Sequence, residues 1–191
     1  MVGPSPSVPQ RIDSEGWPLD PVTPPAYDWW LPDYLIWPTL KPSAIPLSLV
    51  CGPPAAGKST WVEGCMVEGD TLIDLDLILV GLGCTRRTDD KQELRLGLIE
   101  RNKQLNALAH ATHGNKAWFI TGAPSYSTRR RWAGMLEAVK VVVVPTPELV
   151  CIERVMADRS RLASAQGQVT AIRRWWKNAT FGSGETHVHC V

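Results

Sequence analysis

The run Gly52-Pro53-Pro54-Ala55-Ala56-Gly57-Lys58-Ser59 fits the pattern GxxxxGK[ST]. Few short patterns constrain a fold as tightly, because the loop works only between a buried strand and a helix. Both flanks are legible. Leu47–Cys51 is a strand-length apolar run, and residues 59–68 read as the helix that follows. The glycines let the backbone curl until several N–H groups face one anion. The helix then aims the positive end of its dipole at the same point. The loop therefore predicts a nucleoside triphosphate site cradled by Gly52, Pro53, Pro54, Ala55, Ala56, Gly57, Lys58 and Ser59, with Thr60 as a spare hydroxyl. Lys58 is expected to reach the β- and γ-phosphates, and Ser59 to ligate Mg²⁺.

The rest of the chain alternates strand and helix patterns. Thr71–Asp74 and Ala117–Thr121 read as strands, and the valine-rich residues 139–144 as a central strand buried on both faces. Helices are predicted at residues 90–113, where Leu94, Leu98, Asn102, Leu105 and Leu108 share a face, and at 128–138, 147–162 and 169–178. Such alternation implies parallel βαβ units and an α/β, three-layer P-loop NTPase fold with a doubly wound sheet.

Downstream patterns narrow the chemistry. The only Asp-x-x-Gly, from Asp13 to Gly16, precedes the loop, and Asn115-Lys116-Ala117-Trp118 lacks the aspartate of a guanine-reading motif. ATP is favoured over GTP on that ground. No Asp-Glu pair closes an apolar strand, as a motor ATPase would usually require. Asp74-Leu75-Asp76 ends the second strand, and strand alternation would put both carboxylates on one side. One carboxylate suits a metal and the other suits the proton of an attacking hydroxyl. Asp76 is assigned the base and Asp74 the metal side, although the pattern is equally compatible with the reverse. Arg154, Arg159 and Arg161 fall on one predicted helix and its end, where guanidinium groups can stabilise a phosphoryl in flight and grip the nucleotide. Ser164 to Gln168 reads as a lid loop. Arg129 and Arg130 stand near Thr121-Gly122-Ala123-Pro124-Ser125, at the ligand-binding edge of the sheet, and are candidate substrate contacts.

Gly-x-Pro-x-x-Gly-Lys-Ser-Thr-Trp at Gly52 to Trp61, an aspartate at Asp76 and a Cys-x-x-Arg helix from Cys151 to Arg161 together resemble the kinase domain of bacteriophage-type polynucleotide kinases and their P-loop kinase relatives. The resemblance spans about residues 47–178. It implies ATP and Mg²⁺, Asp76 as base toward a nucleic-acid, nucleotide or modified-base hydroxyl, and lid arginines on the donor phosphates. Two positions depart from that pattern. Ala55 stands where the family loop carries glycine, and Leu77, Ile78 and Leu79 follow the aspartate where an arginine is common. Asp-x-Asp also occurs in shikimate- and gluconate-kinase-like proteins, so a small-molecule acceptor stays open, as does an accessory ATPase role in a viral or DNA-processing assembly.

Residues 1–46 hold 11 of the 16 prolines and four of the nine tryptophans, namely Trp17, Trp29, Trp30 and Trp37. This composition predicts an irregular arm that pins onto the body or docks a partner protein. The kinase-like domain is expected over 47–178 and a C-terminal tail over 179–191. Trp175-Trp176 is expected to pack one ring on the core, and His187, His189 and Cys190 are spaced too tightly for one zinc ion. Five scattered cysteines without a CxxC pair fit a reducing compartment. With no membrane-length apolar run or secretory signal, the expected location is the cytoplasm of a cell or of a virus-infected host.

Overall fold

The computed structural model describes residues 39–84 and 90–189. Trp17, Trp29, Trp30, Trp37 and Cys190 lie outside them. Among the described residues five strands form one parallel sheet: β1 Leu47–Cys51, β2 Thr71–Asp74, β3 Ala117–Thr121, β4 Lys140–Val143 and β5 Thr186–His187. Their order across the sheet is β2-β3-β1-β4-β5. The helices are α1 Lys58–Cys65, α2 Leu75–Gly81, α3 Lys91–Ala107, α4 Tyr126–Leu136, α5 Glu148–Ala157 and α6 Ala165–Asn178.

Side chains alternate through the sheet and feed two cores. Leu47, Leu49 and Cys51 face one layer, where Phe119 and Ile73 meet Leu105 of α3 and Leu136 of α4. Val50 faces the other, where Ile120 and Val142 meet Val62 of α1, Val155 of α5 and Ile172 of α6. Helices on both faces of a parallel sheet are the three-layer α/β architecture expected of the sequence. Cys51 is in register with Thr121 on one side and Val143 on the other. The loops leaving β1, β3 and β4 therefore emerge side by side. β1 and β3 also flank the point where the strand order reverses, which is where open α/β sheets bind ligands.

Several boundaries differ from the sequence reading. The residue 90–113 helix stops at Ala107 and tightens into a 3-10 turn, Leu108–His110. Its start is fixed by Asp90, whose carboxylate accepts from the amides of Gln92 and Glu93. α5 ends at Ala157, because Asp158 is extended and a 3-10 turn, Arg159–Ser164, follows. Arg154 and Arg161 thus do not share a helix face. The expected lid loop is instead the start of α6, with Gln168 buried and bonded to Arg161 and Ser164. β4 is less enclosed than its valines suggest, since Lys140 is exposed and its outer neighbour β5 has two residues.

The ends of the domain are tied down by polar contacts that hydrophobic patterning does not register. Leu40 and Ile45 pack on the core, and the amides of Ser43 and Ala44 donate to the carbonyls of Leu136 and Leu108. At the other end, the stretch read as a tail contains β5, and Thr180 and Tyr126 join it to α4.

Candidate nucleotide site

The phosphate loop leaves β1 through Gly52, where a Cβ would stand 2.6 Å from the carbonyl oxygen of Val144. No other residue fits without displacing the chain just after β4. Gly57 sits at φ 92° and closes the loop into α1. Ala55 also lies in the left-handed region, at φ 59°, a conformation that favours glycine. An L residue in this conformation costs about 1–2 kcal/mol, partly offset by the lower unfolded-state entropy of alanine relative to glycine. Ala55→Gly is therefore expected to leave stability unchanged or raise it by up to about 1 kcal/mol. A clear fall in the thermal unfolding midpoint would contradict this.

The Lys58 ammonium folds back over the loop and donates to the carbonyls of Gly52 at 3.0 Å and Pro53 at 2.8 Å. Burial lowers its pKa, and the charges of Asp74 and Asp76 oppose that shift. A cation held among carbonyls and partly stripped of water gains most from an arriving anion.

The acidic pair is arranged differently from the strand expectation. β2 ends at Asp74, which caps α2, and its Oδ1 accepts from the amide of Asp76 at 3.0 Å. Asp76 therefore occupies the first turn of a helix and does not continue the strand. Its place nevertheless leaves it near enough for its charge to act on Lys58. The other oxygen of Asp74, Oδ2, accepts from the Ser59 hydroxyl at 3.0 Å. Asp74 is buried, and its two oxygens join the end of the phosphate loop to the start of α2.

Magnesium takes hard oxygen ligands and keeps several from water and phosphate. The Ser59 hydroxyl and Asp74 carboxylate suit it. Among the described residues no group of three or more His, Cys, Asp or Glu could build an all-protein cage, and this ion does not need one.

The crest of the loop is gripped from the β4 side. The Thr146 hydroxyl donates to the Ala56 carbonyl at 2.8 Å, and Arg154 Nη1 lies 3.4 Å from the carbonyls of both Ala55 and Ala56. Arg154 thus comes to the phosphate loop. Arg159 is exposed, and Arg161 bonds Asp158 at 2.7 Å and Gln168 at 2.9 Å. Hydrogen bonds from Ser160 and Arg161 hold the Asp158 carboxyl down at about 2.

Arg129 is not a substrate contact. Its side chain is fully buried, and all five guanidinium N–H groups have protein acceptors: Ala123 and Pro124 carbonyls, the Thr180 carbonyl, and both oxygens of Glu185. No donor is left for a ligand. Arg130 is exposed, its guanidinium 5.9 Å from the Tyr126 ring. The loop after β3 is held from a second side as well. The Gly122 carbonyl accepts from the indole of Trp175 at 2.6 Å and from the amide of Gly52 at 3.3 Å. Trp175 is buried and Trp176 half-buried, the division expected of the pair. Thr146 and Glu185 were missed by sequence reasoning. Thr146 carries no motif, and Glu185 lies in a stretch that reads as a tail.

Residues 47–176 match the AAA_33 family, an AAA domain. No curated protein matches the sequence. Among solved structures, the chain is similar to a shikimate kinase from Acinetobacter baumannii in complex with shikimate, at 18% identity and TM-score 0.46 over 78% of this chain and 86% of that one. It is also similar to a gluconokinase from Sinorhizobium meliloti 1021, at 16% identity and TM-score 0.45 over 78% and 84%, and to a sugar kinase from Janibacter sp. HTCC2649, at 16% and 0.46 over 76% and 84%. Among the described residues no helix is long and apolar enough to cross a membrane.

Proposed function

The chain belongs to this AAA domain family, and on that premise we propose that it is an ATP-dependent phosphotransferase moving the γ-phosphoryl to an acceptor hydroxyl. The observation that carries the reading is the linkage of Ser59, Asp74 and Asp76. One carboxylate is committed to the phosphate-loop serine, and a second stands next to it at the start of α2. This arrangement supports a division of labour in which Asp74 serves the metal side and Asp76 the base.

Bound Mg²⁺ would supply charge neutralisation on the triphosphate, with Ser59 and Asp74 holding it. Lys58 exchanges its loop carbonyls for phosphate oxygens, whose negative charge favours its ammonium form. Arg154, at the crest, adds positive potential on the side of α5. Asp76 accepts the proton of the acceptor hydroxyl as that oxygen attacks the γ-phosphorus, the bond to the β,γ-bridging oxygen breaks and ADP leaves. The acceptor is a hydroxyl on a nucleotide, a nucleic acid or a modified base, or on a small molecule. With Arg129 removed from substrate duty, Arg130 is the surviving candidate of that pair for an acceptor phosphate.

Transfer of label from [γ-³²P]ATP to a panel of oligonucleotides, nucleosides and small polyols tests the reading. Asp76→Asn is expected to lower transfer by about 100-fold or more while ATP binding persists. Turnover that is indifferent to Asp76→Asn would overturn the base assignment. Phosphate release to water with no labelled acceptor would favour an accessory ATPase, with residues 1–46 as its docking element.

A further inference from the structure

We propose that Thr146 is a positioning residue for the nucleotide phosphates, acting through the Ala56–Gly57 peptide; this deepens the nucleotide-site reading above and rests on it. The Thr146 side chain is buried, and its hydroxyl donates to the Ala56 carbonyl at 2.8 Å across 90 residues of sequence. A trans peptide is planar, so its C=O and the next N–H point in opposite directions. Fixing the Ala56 carbonyl toward the loop after β4 turns the Gly57 N–H away from that loop. The phosphate cradle depends on amides being aimed before the anion arrives, because an aligned donor loses no orientational freedom on binding.

Thr146 is built to hold that aim. It lies between Pro145 and Pro147, whose rings restrict the backbone on either side. Its own carbonyl accepts from the Cys151 thiol at 3.4 Å, and Cys151 is fully buried in α5. The peptide it controls also needs controlling. Ala55, the residue before Ala56, is held at φ 59°, and Gly57, the residue after it, is at φ 92°. Left-handed residues on both sides of Ala56 leave alternatives open to its carbonyl that a single hydroxyl removes. Arg154, at 3.4 Å from the same carbonyl, is a longer and less directed contact.

The test is the affinity of the full chain for a fluorescent N-methylanthraniloyl ATP with Mg²⁺. Thr146→Val keeps the side-chain shape and removes the donor, leaving the Ala56 carbonyl buried without its hydroxyl partner. Its Kd is expected to rise by about 10-fold, with Thr146→Ser within about 2-fold of the native chain. The KM for ATP should follow the Kd, while the KM for the acceptor stays put. Thr146→Ala carries the same expectation and keeps the test open if the valine variant misfolds. An unchanged Kd in folded Thr146→Val or Thr146→Ala, with only the unfolding midpoint lowered, would reduce Thr146 to a packing residue and overturn the proposal. A native chain that binds no analogue would instead overturn the nucleotide reading itself.

Discussion

Lys58→Ala is expected to abolish measurable phosphoryl transfer, lowering turnover by about 100-fold or more, while leaving the fold intact. Catalytically, Lys58 is the loop side chain proposed to place a positive charge among the phosphates. Arg154 approaches the crest carbonyls of Ala55 and Ala56, whereas Lys58 bonds the carbonyls of Gly52 and Pro53 at the loop's start. Energetically, burial opposes its charge in the absence of ligand. Removing the amine gives up two hydrogen bonds but also relieves desolvation, so the net change in stability should stay within about 1 kcal/mol. Urea unfolding and ATP turnover on the same preparation separate the two. A variant that loses activity only because it unfolds would contradict the assignment of Lys58 to the phosphates.

The largest stability effect is expected at Glu185. This residue and Arg129 form a buried ion pair, with 3% and 0% of their side chains exposed. The net worth of such a pair is small against an apolar replacement, but breaking it leaves an uncompensated charge inside. Arginine cannot relieve the strain by deprotonating. Glu185→Gln preserves shape while removing the countercharge, and should cost about 3–5 kcal/mol. That is a large share of the roughly 5–15 kcal/mol of a typical domain. The urea midpoint reads it directly. Changing Arg129 to Met in the same chain should add less than it does alone, because the stranded charge is then gone. A loss below about 1 kcal/mol for Glu185→Gln would mean that the pair does not clamp the loop after β3. The clamp also bears on function, since Arg129 holds the Ala123 and Pro124 carbonyls at the edge where β3 meets the phosphate loop.

Legibility in the sequence followed the range of the interaction. Leu47–Cys51, Thr71–Asp74 and Ala117–Thr121 have the bounds that their apolar runs and flanking turn residues announced. The phosphate loop was equally plain, because its requirements are local: a strand, glycines, a lysine and a helix. Helix ends were less legible. Asp158 and Asp74 redirect the chain through capping and extended backbone, a choice made by one side chain against its neighbours. Hydrophobic periodicity does not report such a choice, and by itself it puts Arg154 and Arg161 on one helix and Asp76 on a strand.

The sequence by itself determined the class of fold and the presence of a phosphate cradle, because both follow from hydrophobic period and from a motif eight residues long. Only the tertiary structure decided what each arginine does. Arg129 and Arg154 look alike in the sequence, as basic residues on helices beside the ligand edge. One is wholly consumed by Glu185 and three carbonyls, and the other reaches the crest of the loop. Their fates rest on Glu185, Thr180 and Ala55, at separations of 56, 51 and 99 residues. A guanidinium takes its role from the acceptors the folded chain brings to it, and those acceptors are not its neighbours in sequence.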